Sequence, residues 1–244
     1  MPTGDSSLTR PSSEPLASEP LAARLEAITA ALPPGCRLLA VSKGHPAEAI
    51  RAAVAAGQRS FGESRLQEAS AKQEELADLA PLDWHFIGRL QANKARAVLR
   101  RFGTIHSVDS LALAERLARI AGEESLNPAV LFQVKLRPDP SKTGFSPEEL
   151  RAAWPRLATL APLRPVGLMT IAPQGLGHEE LQVLFQACAA LATQLGLPER
   201  SMGMSGDWHE AAAAGSTWVR IGSALFGVRP SQRLAITDVG RYSG

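Results

Sequence analysis

One lysine leads the residues best placed for chemistry. Lys43 directly follows the apolar run Leu38 to Ser42 and precedes Gly44. A lysine at the exit of a buried strand is partly desolvated, and nearby cations add to that effect. Both favour the neutral amine, which condenses with aldehydes to give Schiff bases. The alternative is an ordinary solvated lysine, since surface lysines are common. A second group lies near the C-terminus. Gly203 to Asp207 stand before a helical pattern at Trp208, and Ile221, Gly222 and Ser223 precede Ala224, Leu225 and Phe226. Glycines let backbone N–H groups approach an anion closely, and helix N-termini carry partial positive charge. Ser205 adds a hydroxyl donor. Together the two turns suit a phosphate, although either alone is also ordinary turn chemistry. Arg220 sits between Val219 and Ile221 and therefore faces the other side of its strand. A permanent cation there could meet a ring nitrogen and keep it unprotonated; its other reading is an ion pair with a carboxylate such as Glu63.

The elements that would position these groups follow from periodicity. Short apolar runs alternate with helical segments: Leu38–Ser42, Ser60–Glu63, Trp84–Gly88, Thr104–Val108, Val130–Lys135, Val166–Thr170, Ser201–Ser205 and Trp218–Ile221. Near-continuous apolar runs fit parallel strands covered by helices. Between them, Pro46 opens a helix that Gly57 closes. Ser146, Pro147 and Glu149 form a capping box, and Pro155 is expected to kink or end that helix. Leu181, Leu184, Phe185 and Cys188 mark another amphipathic stripe. Eight alternations allow a closed barrel or an open sheet. No GxGxxG follows the first strand, so the expectation is a single (β/α)8 TIM barrel. Its active groups would gather at the C-terminal ends of the strands, with phosphate held after strands seven and eight.

Residues 1–18 are rich in Pro, Ser, Thr and Glu and predict a disordered tail. An extra N-terminal helix follows, with Pro20 in its first turn, Leu21, Leu25, Ile28 and Leu32 on one face, and Pro33 and Pro34 stopping it. The barrel would span 19–230 and a C-terminal tail 231–244. Few residues remain after the eighth strand for a full final helix, so the N-terminal helix could cover part of the barrel.

The charge balance of 26 Lys and Arg against 24 Asp and Glu, with 5% aromatics, gives no basis for nucleic-acid binding. The basic stretch Lys94, Arg96, Arg100 and Arg101 reads as a solvated helix face. Cys36 and Cys188 read as reduced, buried thiols of a cytoplasmic protein. No apolar run approaches a membrane span, no secretory signal is expected, and no Cys/His cluster suggests a metal. His85 reads as a satisfied core histidine and His45 as a loop residue.

The stretches AVSKGHP (Ala40–Pro46), FGESRLQE (Phe61–Glu68), WHFIGRLQANK (Trp84–Lys94), HSVDS (His106–Ser110), KTGF (Lys142–Phe145), GLMTI (Gly167–Ile171), GMSGD (Gly203–Asp207) and VRIGSALFG (Val219–Gly227) resemble the pyridoxal 5′-phosphate (PLP) homeostasis family, also called proline synthase co-transcribed or YggS-like proteins. The resemblance implies a fold-type III barrel like the N-terminal domain of alanine racemase. It implies PLP on Lys43 as a Schiff base, phosphate held by Ser205, Ile221 and Gly222, and Arg220 at the pyridine nitrogen. It further implies a carrier or regulator without established catalysis, handing PLP to apo-enzymes and expected to be a monomer. Two positions depart from the family pattern. Ser64 and Arg65 replace its usual Asn-Tyr, and His45 stands where a second lysine is common. The competing functions are a racemase-like enzyme and a Schiff-base aldolase. Racemisation needs a second acid/base opposite the lysine, and the only tyrosine here is Tyr242.

Overall fold

Pro20 caps helix α1 (Leu21–Ala30), and each of eight strands is then followed by a helical segment. The computed structural model describes residues 19–139 and 142–229, so both expected tails and Tyr242 lie outside the described residues. The strands are β1 (Arg37–Val41), β2 (Ser60–Glu63), β3 (Asp83–Phe86), β4 (Thr104–Val108), β5 (Ala129–Gln133), β6 (Arg164–Met169), β7 (Glu199–Met204) and β8 (Trp218–Ile221). All pairs are parallel, and β8 returns to β1 to close the barrel in sequence order. The eight predicted strands are all present. Three have the predicted bounds; the other five start and end one or two residues earlier. Their last predicted residues, among them Ser42, Gly88, Thr170 and Ser205, have already left the sheet for the loops at the mouth.

The helices are α2 (Ala47–Ala55), α3 (Leu66–Glu75), α4 (Ala95–Leu99), α5 (Leu111–Glu123), α6 (Pro147–Leu157), α7 (His178–Gln194), α8 (Trp208–Ala213) and α9 (Ser223–Phe226). In α5, Ser110 caps the N-terminus, and Leu113, Ala114, Leu117, Ala118 and Ala121 recur on the face turned to the barrel. The capping box of α6 is formed: Glu149 N–H donates to Ser146 Oγ at 3.1 Å, and Ser146 N–H donates to Glu149 Oε2 at 2.7 Å. Pro155 does not end α6, which runs on through Leu157. Its missing N–H removes one ladder bond from the last turn, where the helix is about to close anyway.

Alternation along the strands divides their side chains between two environments. Leu38, Ala40, Phe61, Val219 and Ile221 pack outward with Leu25, Ile28, Ile50 and Leu225. Ile105, Val130, Phe132 and Leu168 pack outward with Leu117, Leu150, Phe185 and Cys188. The intervening positions, including His85, His106, Ser201 and Arg220, turn into the barrel and are buried. Helix α9 has only four residues, and α1 compensates by packing beside it. Arg24 Nε donates to Leu225 O at 2.7 Å, locking α1 across the seam between β8 and β1.

The basic stretch forms a solvated, ion-paired face: Arg96 pairs with Glu123 and Glu124, Arg100 with Glu124, and Arg101 with Glu74. Both cysteines are free, but only Cys188 is fully buried; Cys36 is half-buried where the chain enters β1. No helix among the described residues is long and apolar enough to cross a membrane.

Gly203 adopts φ +88°, and an added Cβ would lie 2.6 Å from Ala211 Cβ and 2.9 Å from Trp208 Cα. It lets α8 return tightly over β7 and so sets the start of the Ser205 loop. Gly203→Ala is expected to lose at least about 2 kcal/mol of unfolding free energy, from the left-handed backbone and the overlap together. Urea denaturation checks this; an unchanged midpoint would refute the role given to Gly203.

Candidate functional site

Leu39 and Val41 of β1 turn toward the barrel axis, and Ser42, just past the strand, turns outward to Glu63 of β2. Gly44 follows at φ +77°, and the charged groups that act on the Lys43 amine are Arg229, Arg220, Glu63 and Arg65. Lys43 is partly exposed. No hydrogen bond holds its amine among the described residues. Burial, then the positive charges of Arg229 and Arg220, lower its pKa; Glu63 opposes and Arg65 adds to the shift. The predicted desolvated lysine among cations is therefore present. Arg229 belongs to no predicted motif, yet it contributes more to the shift than Arg220.

The backbone of this turn is clamped from α3. Lys72 Nζ donates to Ser42 O at 2.8 Å, to Glu63 Oε1 at 2.7 Å and to Glu68 Oε1 at 2.6 Å. Glu68 also accepts from the Gly44 N–H, and Ser42 Oγ donates to Glu63 Oε1 at 2.7 Å. The residues on both sides of Lys43 are thus tied to one cluster. Burial pushes the Glu63 carboxyl upward, against the pull of Lys72 and Ser42. Burial also raises Glu68, but Lys72, the Gly44 N–H and Arg65 outweigh it and its pKa falls. Glu63 Oε2 is buried without a hydrogen-bond partner. Sequence reasoning quoted Glu63 and Glu68 inside one motif but gave neither a role beside Lys43, and it missed Lys72. The Glu68–Lys72 spacing of i, i+4 was the available signal.

Arg220 faces inward, as its position between Val219 and Ile221 predicts. It does not bond Glu63. Its Nη1 donates to Ser201 O at 2.6 Å and to Ser201 Oγ at 2.8 Å, and its Nη2 donates to Thr170 O at 2.9 Å. Burial lowers its pKa to about 10, with Asp207 and Cys188 opposing, so it stays a cation at neutral pH.

The two C-terminal turns meet. Gly222 N–H donates to Ser205 Oγ at 3.3 Å. A Cβ on Gly222 would lie 3.1 Å from Val41 O, which places this turn against the strand that delivers Lys43. The side chain of Ile221 packs outward against helices, so only its backbone can face a ligand. With α8 of six residues and α9 of four, neither turn opens a long helix, and what they offer an anion would be local N–H groups and the Ser205 hydroxyl.

His85 is buried and bonded on both ring nitrogens, as a core histidine should be. His45 lies in a loop but is buried rather than solvated, with its ring 5.1 Å from that of Phe226. Of the other departures, Ser64 backbone lies under Gly88, where a Cβ would meet Ser64 O at 2.2 Å. Arg65 points away from the core and approaches Glu68 at 3.9 Å. Among the described residues no cluster of His, Cys, Asp or Glu could hold a metal ion.

Comparison with known proteins agrees with the fold. Residues 17–230 match the family model described as alanine racemase, N-terminal domain. The pyridoxal phosphate homeostasis protein of Synechocystis sp. is 50% identical over 208 residues, covering 83% of this chain and 95% of its own. That of Pseudomonas aeruginosa is 48% identical over 196 residues, covering 79% and 84%. The solved structure of PipY from Synechococcus elongatus with PLP bound has a TM-score of 0.82 and 52% identity, over 85% of this chain and all of that one. An alanine racemase from Clostridium difficile shares the fold at a TM-score of 0.69 and 17% identity, over 86% of this chain and 57% of that one. From the barrel, the clamped lysine turn and these relatives together, the chain belongs to the pyridoxal phosphate homeostasis proteins, within the family of the alanine racemase N-terminal domain.

Proposed function

We propose that this protein binds PLP, with Lys43 as the point of covalent attachment, and holds it for intracellular PLP homeostasis rather than for turnover. The observation that carries this reading is the lysine turn, with its depressed amine set among cations and the Ser205–Gly222 turn packed against the same strand. The donor set fits the cofactor. An anionic aldehyde satisfies a neutral amine flanked by Arg229, Arg220 and Arg65. The N–H of Gly222 and the Ser205 hydroxyl suit phosphate oxygens, together with the backbone of Ile221. Bound PLP supplies an aldehyde that captures amines and a pyridine ring that can draw electrons from them.

The chain's own residues favour holding over turnover. Arg220 is a cation fixed by two backbone carbonyls and a serine, and it has no proton to give at neutral pH. A ring nitrogen facing it stays unprotonated, which weakens the electron sink an amino-acid racemase needs. Lys72 and Glu68 fix the turn on either side of Lys43, and burial and the neighbouring cations lower its pKa, which favours the neutral amine. The relatives' names as homeostasis proteins support the same reading, which carries with it a cytoplasmic location and apo-enzymes as recipients as parts of the proposal.

Three outcomes are expected. Lys43→Ala removes the near-visible absorbance of the PLP-loaded protein and the adduct trapped by borohydride on a Lys43 peptide; a modified peptide elsewhere would refute the attachment point. Because its pKa is lowered, Lys43 is neutral over a wider range than a free lysine. The rate of PLP capture should therefore rise with pH through a midpoint below the ordinary lysine value of about 10.4, and a stopped-flow midpoint at or above that value would contradict the electrostatic account. Lys72→Met strands the buried Glu63 carboxylate, at a cost of about 3–5 kcal/mol in urea denaturation. Glu63→Gln in the same chain should recover part of it; no recovery would show that the cluster is not what Lys72 supports.

A further inference from the structure

Four side chains run in a line beneath Arg220, and three of them, His106, His85 and Asp83, have no part in that reading. Ser201 Oγ, which accepts from Arg220 Nη1, is 2.8 Å from His106 Nδ1. His106 Nε2 is 2.8 Å from His85 Nδ1, and His85 Nε2 is 2.6 Å from Asp83 Oδ2. Asp83 opens β3 at the base of the barrel, with its side chain 50% exposed, whereas His106 and Ser201 are fully buried. The line thus crosses the barrel interior from the solvent at its base to the guanidinium at its mouth.

Its two ends fix its direction. Arg220 can only donate, so Ser201 Oγ accepts from it. Among the described residues the Ser201 hydroxyl proton has one acceptor, His106 Nδ1. His106 must then carry its proton on Nε2 and donate to His85 Nδ1. His85 in turn carries its proton on Nε2 and donates to Asp83. Each group gives one hydrogen bond and takes one, with a cation at the head and a carboxylate at the foot. Two features agree with this polarity. Burial, with the charge of Arg220 nearby, keeps the His106 pKa well below the usual histidine value. Burial raises the Asp83 carboxyl, but His85, Ser60 and Arg37 outweigh it and hold it ionised. Bonds in such a chain polarise one another, more strongly in a low-dielectric interior than in water.

We propose that Asp83, His85, His106 and Ser201 are positioning residues for Arg220, joined in a one-way hydrogen-bonded chain that ties the cation at the mouth to a carboxylate at the base. The chain holds the guanidinium facing the ligand and shares its charge with Asp83, a residue that touches no part of the site. The chain stands on its own contacts; only its effect on PLP rests on the cofactor reading.

Two measurements on the full chain test it. In nitrogen-15 spectra of histidine-labelled protein at neutral pH, both His85 and His106 should show the proton on Nε2. PLP affinity, titrated by absorbance, should weaken about threefold in Asp83→Asn and on the order of tenfold in Ser201→Ala. The double variant should be no weaker than Ser201→Ala alone, because the chain is already cut there. If Asp83→Asn does not fold, His85→Gln, which cuts the chain one link further in, takes its place. A His106 proton on Nδ1, no effect of Asp83→Asn, or its full effect persisting beside Ser201→Ala would overturn the proposal. A wild-type protein that takes up no PLP would instead sink the cofactor reading and leave the histidine protons to decide the chain.

Discussion

Lys72 places one ammonium among Ser42 O, Glu63 and Glu68, and the lysine turn depends on that contact. A buried charge is costly unless it is paired and fully bonded. Here all three ammonium protons have oxygen partners within 2.8 Å, so the cost is met by geometry. One oxygen belongs to the residue before Lys43, and another carboxylate oxygen also accepts from the residue after it. The side chain between them has little choice of direction. β1 ends at Val41, so the direction of Lys43 is set by this tethered turn rather than by the strand.

The barrel interior is sorted by the same rule into two kinds of filling. Leu39, Leu131 and Met169 pack apolar, while His85, His106, Ser201 and Arg220 form a polar line across it. Such a line is tolerated only when every member is satisfied, since a half-bonded buried network is worse than hydrocarbon. The backbone carbonyls of Ser201 and Thr170 make Arg220 a fixed cation with no bonded carboxylate among the described residues. A carboxylate in bonding distance would cancel the charge that a ligand meets. Carbonyl dipoles and a serine hydroxyl hold the guanidinium without cancelling it.

Much of this was legible in the sequence, for identifiable reasons. Strands such as Thr104–Val108 and Trp218–Ile221 are short apolar runs between helix punctuation, and their bounds could be read directly. Lys43, Ser205, Arg220 and Gly222 stand at strand ends, where the fold puts function. Ends that turn out of the sheet to build the mouth, as at Ser42 and Gly88, were read as strand because their composition is still apolar or small. Lys72 and His106 were not assigned roles, because their partners lie far off in sequence and depend on which way two strands face. His45 read as a loop residue before Pro46, and it is one; its burial was not legible, because Phe226, whose ring lies 5.1 Å away, comes from the other end of the chain.

That last contact points to what barrel closure does for the site. Lys43 follows the first strand, Arg220 and Gly222 come from the end of the last, and Arg229 lies just past α9. They become neighbours only because β8 pairs with β1, Leu39 opposite Arg220 and Ala40 opposite Ile221. The seam is also where the helical cover is thinnest, with α9 a single turn and α1 recruited by Arg24 to complete it. A ligand joined to Lys43 and gripped by Gly222 would span that seam. Its binding energy would then add to the strand pairing that closes the barrel, by about 2.7 kcal/mol at a ligand concentration of roughly 100 times Kd. The thinly covered pairing of β8 with β1 and the place such a ligand would occupy coincide, so that occupancy and closure would support each other.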